Sequence, residues 1–140
     1  MKKDTSKMLE ELEQSFDFKD FHEKNAQYIT DTSLKELLDE LIEKHNIKKP
    51  DAIKRAELSE NYGYQIFSGL RIPERKKLLS LGIGMKLSFD EIQELLKCSG
   101  YALLYPRNTF DCIVTFGIFK GMSVADINYI LFDYGLETLG

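Results

Sequence analysis

Apolar residues recur along much of this chain at intervals of three and four, and the pattern predicts helices. The clearest run begins at Ser33. Ser33 and Glu36 have capping-box spacing, and Leu34, Leu37, Leu38, Leu41 and Ile42 follow on one face of a helix. Asn46 and the Lys48-Lys49-Pro50 stretch end it. Pro50, favourable at the start of a helix, opens a short second one with Ala52, Ile53 and Ala56 turned inward. Glu57-Leu58 makes a tight turn, and Ser59 caps a third helix that runs to Phe67 and stops at Ser68-Gly69. A fourth helix after Pro73 buries Leu78, Leu79, Leu81 and Ile83, and a fifth, capped by Ser88, buries Ile92, Leu95 and Leu96.

The last third repeats this step. The run Leu87-Ser88-Phe89-Asp90-Glu91-Ile92 is echoed 35 residues later by Met122-Ser123-Val124-Ala125-Asp126-Ile127. Each copy has a serine cap, an acid at the third helical position, an apolar staple pair, and a closing glycine, Gly100 or Gly135. With an apolar helix expected over Phe110 to Phe119, opened by Tyr105-Pro106-Arg107-Asn108, residues 105–140 form a second helical hairpin. Before Ser33 the apolar signal is weak, at Met8, Leu9, Leu12, Phe16 and Phe18, and predicts a helical arm over residues 1–32. The arm either packs through Phe16, Phe18, Phe21 and Tyr28 or extends to meet a partner helix. The expected division is therefore 1–32, 33–104 and 105–140, all-α.

Composition adds two points. At 140 residues and 43% apolar content the chain is long enough for a real core, with one compact unit as the default. No apolar run reaches membrane-spanning length and the N-terminus has no signal-peptide pattern, so a cytoplasmic location without membrane attachment is expected. Cys98 and Cys112 lie in apolar-patterned segments and are expected as buried thiols and not as a disulfide or metal pair.

Charge changes the picture more. The formal net charge of −4 conceals three segments: residues 1–43 hold 6 Lys/Arg against 12 Asp/Glu, residues 44–77 hold 9 against 4, and residues 78–140 hold 4 against 7. The basic middle segment coincides with the two short helices. A local positive field can steer a domain onto phosphate whatever the overall sum.

Two short helices joined by a tight turn are the arrangement that places a second helix in a major groove about 12 Å wide. The stretch Leu34 to Leu96, with Leu58-Ser59, Ile66-Phe67-Ser68-Gly69, Arg71 and Pro73 in order, resembles the Xre-type, lambda repressor-like helix-turn-helix family. The run Tyr62-Gly63-Tyr64-Gln65-Ile66-Phe67-Ser68-Gly69, with Pro73, Arg75 and Leu104-Tyr105-Pro106-Arg107, further resembles a Firmicute-type subgroup with a helical C-terminal extension. The resemblance implies a five-helix DNA-binding domain acting in transcriptional regulation on double-stranded DNA.

In that domain Ile66 and Phe67 are expected as the buried pair of the recognition helix, leaving Glu60, Asn61, Tyr64 and Gln65 to read bases. Asn and Gln can pair bidentately with adenine, Tyr can pack on a thymine methyl, and Glu can accept from cytosine. The resemblance implies phosphate contacts at Lys48, Lys49 and Arg71, to which Ser59 and Arg75 are added; Lys54, Arg55, Lys76 and Lys77 are further basic candidates. Gly63 stands where the family buries Val or Ile, a gap that either Tyr62 or Tyr64 is expected to fill. If Tyr64 turns inward, the outer face loses its aromatic reader, and a protein-interaction adaptor with the same fold becomes the alternative.

No Walker-type loop, His-Glu-x-x-His or Cys-x-x-Cys occurs, and no nucleophile lies beside a histidine, so no enzyme, metal or cofactor is implied. His22 is expected at the surface, and His45 near the C-terminus of the first helix, complementing its dipole. Phe110, Ile113, Val114, Phe116, Ile118, Phe119, Tyr129, Phe132 and Tyr134 are more apolar surface than one hairpin hides. They point either to packing on the first domain or to a homodimer surface, the hairpin or the N-terminal arm serving the dimer.

Overall fold

The computed structural model describes residues 3–29 and 33–140; the boundary expected at residue 32 lies outside them. The described residues are helical or irregular, with nine α-helices and one 3₁₀ turn. They fall into two compact units, one within residues 1–31 and one within 32–140.

The first unit contains α1 (Thr5–Gln14) and α2 (Phe18–Asn25), followed by the 3₁₀ turn Ala26–Tyr28. The expected arm is thus two helices. Asp4 and Asp17 supply the caps, accepting from the backbone N–H of Ser6 and Lys19. Asn25 ties them together: fully buried, its amide donates to Glu11 Oε2 at 3.1 Å and to the Phe21 carbonyl at 3.0 Å, and its oxygen accepts from Lys3 Nζ at 2.6 Å. A buried amide with its polar atoms satisfied fixes one arrangement of its partners.

In the second unit the five helices predicted for residues 33 to about 99 are all present: α3 (Leu34–His45), α4 (Lys49–Arg55), α5 (Glu60–Phe67), α6 (Arg75–Gly84) and α7 (Phe89–Cys98). The hairpin follows as α8 (Thr109–Phe119) and α9 (Val124–Asp133). Ser33, Ser59, Ser88, Asn108 and Ser123 each cap a helix by accepting an N–H three residues on. At Ser88 the box is complete, because Glu91 Oε1 accepts back from the Ser88 N–H at 3.0 Å. Asn46 ends α3 and Glu57 the residue after α4's cap, both in the left-handed region (φ 52° and 58°), which Asn tolerates more readily than Glu.

The core is one continuous cluster. Leu38, Ala52, Ile66, Leu79, Leu81, Leu95 and Leu96 from the first five helices are sealed from solvent, as are Val114, Ile127 and Leu131 of the hairpin. The hairpin joins this core through α6 and α7. Two interactions distant in sequence lock the joints. Arg75 donates through both terminal nitrogens to Asp111 (3.1 and 3.0 Å), and also to the carbonyls of Ala102 and Leu103, fastening α6 to α8 and to the loop between α7 and α8. That loop is held further by Gln93, whose amide pairs with both the N–H and the carbonyl of Leu104.

At the other joint, His45 Nε2 and Lys44 Nζ lie 2.7 and 3.0 Å from Glu91 Oε2. His45 is the last residue of α3, at the helix end where the sequence places it, and in addition bonds a carboxylate of α7; Asn46 supplies the left-handed cap. The thiols part from expectation, since Cys98 is half-buried and Cys112 exposed, and no disulfide joins them. The outward turn of Cys112 follows from its place one and two turns before Phe116 and Phe119, on the solvent side of α8. Among the described residues no helix is long and apolar enough to cross a membrane.

Candidate nucleic-acid interface

The pair α4 and α5 is held by a close approach. Gly63, in the middle of α5, is buried, and a Cβ there would lie 2.5 to 2.7 Å from three side-chain carbons of Ile53 on α4. Ile53 occupies the space, so the gap expected for Tyr62 or Tyr64 does not exist. The cost of a mid-helix glycine, about 1 kcal/mol, is offset by the contact it permits. Residues 56–59 make the turn, with Ala56 buried and Ser59 Oγ accepting from the Tyr62 N–H at 3.3 Å.

Ile66 and Phe67 are buried as expected, at 0% and 1% exposure, and this fixes which side of α5 faces out. Glu60, Asn61 and Tyr64 lie on that outer side, Tyr64 at 38% exposure, and none of the three side chains hydrogen-bonds to another described residue. Three of the four base-reading candidates thus share one open face. Gln65 is placed differently. It is half-buried, its carbonyl oxygen accepting from Arg71 Nε at 3.0 Å, which orients the arginine at the cost of an amide free to read a base.

The cations sort by partner. Lys48 is exposed; Lys49 is half-buried with Nζ 5.7 Å from the Phe67 ring centre. Arg71 lies 5.6 Å from the ring centre of Tyr62, and Lys77 stands 5.5 Å from the same ring. Cations within about 6 Å of an aromatic face are attracted to it, so Tyr62 gathers two charges beside α5. Burial raises the Tyr62 hydroxyl pKa above its ordinary value, with the charge of Glu74 acting the same way. Ser59 is exposed, though its hydroxyl is engaged in the cap.

Arg75 stands apart from the other phosphate candidates. Its guanidinium is committed to Asp111 and two backbone carbonyls and only 24% exposed, so it works as a joint between helices. Lys76 is paired with Glu137. The sequence reading missed Asp111 and the cation-gathering Tyr62, because each acts on residues of another element and leaves no local spacing. It also missed Leu70 and Ile72, both strongly exposed on either side of Arg71; two bulky apolar residues in a Gly-to-Pro linker were the available signal.

Among the described residues no group of His, Cys, Asp and Glu is placed to hold a metal. No protein-family model matches the chain, and no curated protein or solved structure matches it significantly.

Proposed function

We propose that this chain is a sequence-specific DNA-binding regulator of transcription, lambda repressor-like in its arrangement of α3 to α7, which reads the major groove with α5. The supporting observation is the outer face of that helix. Glu60, Asn61 and Tyr64 project from a short, capped helix with no internal partners, flanked by Lys48 and Lys49 at the start of α4 and by Arg71 just past α5. Asn61 pairs with adenine, Tyr64 packs on thymine or donates to phosphate, and Glu60 accepts from cytosine. Lys48, Lys49 and Arg71 take phosphates, with Gln65 as the residue that aims Arg71.

A homodimer suits this reading, because two recognition helices about 34 Å apart match a twofold operator. Five exposed aromatic residues on the hairpin, Phe116, Phe119, Tyr129, Phe132 and Tyr134, favour it as the self-association surface.

Fluorescence anisotropy against a pool of fragmented genomic DNA, repeated across salt concentrations, tests the electrostatic part. About three cationic phosphate contacts per subunit give a slope of log K on log salt near −3 for each. Salt-independent or undetectable association at low salt would favour the adaptor reading, in which the same surface meets a protein.

A further inference from the structure

A cleft of about 370 Å³ opens on unit 32–140 where the end of α4, the turn between α6 and α7 and the turn between α8 and α9 converge. Its apolar wall is formed by Ile83, Leu87, Ile118 and Met122, and its two charged residues are Arg55 and Lys86. No carboxylate lines it. Neither cation is in an ion pair with a described residue, although acids outnumber bases in the chain.

Arg55 is held in place by the backbone. Arg55 donates through Nε to the Gly84 carbonyl at 2.7 Å, which fixes the guanidinium plane and leaves its terminal nitrogens unengaged. Gly84 is required at that crossing, since a Cβ there would lie 2.6 Å from the Ala52 carbonyl oxygen. Lys86 holds a left-handed backbone (φ 58°) at the residue after α6's cap, where Gly or Asn is the usual choice. An oriented guanidinium and an exposed ammonium, neither of them in an ion pair with a described residue, stand beside an apolar wall and suit an anionic amphiphile, and the volume lies in the range of small-ligand sites.

From this geometry we infer that the cleft binds a small amphiphilic carboxylate, an acyl or aryl acid whose carboxylate meets Arg55 and Lys86 and whose apolar body lies against Ile83, Leu87, Ile118 and Met122. The guanidinium supplies the planar donor pair that suits a carboxylate, and the ammonium supplies a second charge. The site is separate from the outer face of α5, because none of its lining residues lies on that helix.

The test is methyl-resolved NMR titration of the full chain with octanoate, with octanamide and inorganic phosphate in parallel. Octanoate should saturate with a Kd below about 1 mM and shift the methyl signals of Ile83, Leu87, Ile118 and Met122. Octanamide should bind about tenfold more weakly, as expected for loss of a charge-assisted contact. Lys86→Asn, which retains a residue tolerant of left-handed backbone, should weaken octanoate about tenfold and leave octanamide unchanged. Met122→Trp, checked for folding by circular dichroism, should block both. Equal binding of octanamide and octanoate, methyl shifts confined to other parts of the core, or phosphate binding as tightly as octanoate would each overturn the assignment.

Discussion

At the scale of single residues, Gly63 makes the clearest test of how the two short helices are held. Alanine is the better helix former by about 1 kcal/mol, yet its methyl would meet Ile53 at 2.5 Å. Overpacking should win, so Gly63→Ala should lower stability in urea unfolding by about 1–3 kcal/mol, and adding Ile53→Ala should return part of the loss. Equal stability of Gly63→Ala and wild type would show that α5 does not press on Ile53.

Glu91 gives a second residue-scale prediction. Burial pushes its pKa up, but the Ser88 N–H, His45 and Lys44 outweigh this and bring it down to about 2 from the usual 4.5. A depressed carboxylate contributes stability that is fully present above its unfolded pKa. That contribution is lost as pH falls from about 4.5 through 2. Glu91→Gln should cost about 2 kcal/mol at neutral pH and flatten this part of the acid-unfolding curve, measured by circular dichroism.

Between elements, the joint of Arg75 and Asp111 carries the connection from α6 to α8. Asp111 is buried and also accepts from the Tyr105 N–H at 2.9 Å, so Asp111→Ala strands that amide and leaves the Arg75 charge with only the Ala102 and Leu103 carbonyls. Breaking a buried pair from one side costs about 3–5 kcal/mol. The expected result is a large drop in the unfolding midpoint, whereas replacing the exposed Lys97 should change it little; similar effects of the two would deny the joint its role. This also shows what the sequence made legible. Helix starts were readable because a serine cap and an apolar stripe are local signals, as at Ser33, Ser59, Ser88 and Ser123. Partners 36 or 46 positions apart, Arg75 with Asp111 or His45 with Glu91, follow no local rule. Hence Arg75 read as a phosphate contact, and the Glu91 partner of His45 was not legible. The outer face of α5 was legible for Glu60, Asn61 and Tyr64 once Ile66 and Phe67 fixed the buried side, while the turn of Gln65 toward Arg71 depends on the chain beyond the helix.

For the molecule as a whole, the exposed aromatic surface of the hairpin and the reading helix make separate predictions. Sedimentation equilibrium should give a dimer that Phe116→Lys with Phe132→Lys converts to monomer without loss of helicity; wild-type protein that stays monomeric at micromolar concentration would remove the hairpin from the account. The central claim is that α5 reads sequence, and selection of bound duplexes from fragmented genomic DNA, followed by sequencing, addresses it most directly. Wild-type protein should enrich one motif, and Asn61→Ala with Tyr64→Ala, equally folded, should lose that enrichment while keeping salt-dependent binding to bulk DNA. Enrichment unaffected by the double substitution would contradict the assignment of α5, and no enrichment from folded protein at low salt would contradict DNA reading altogether.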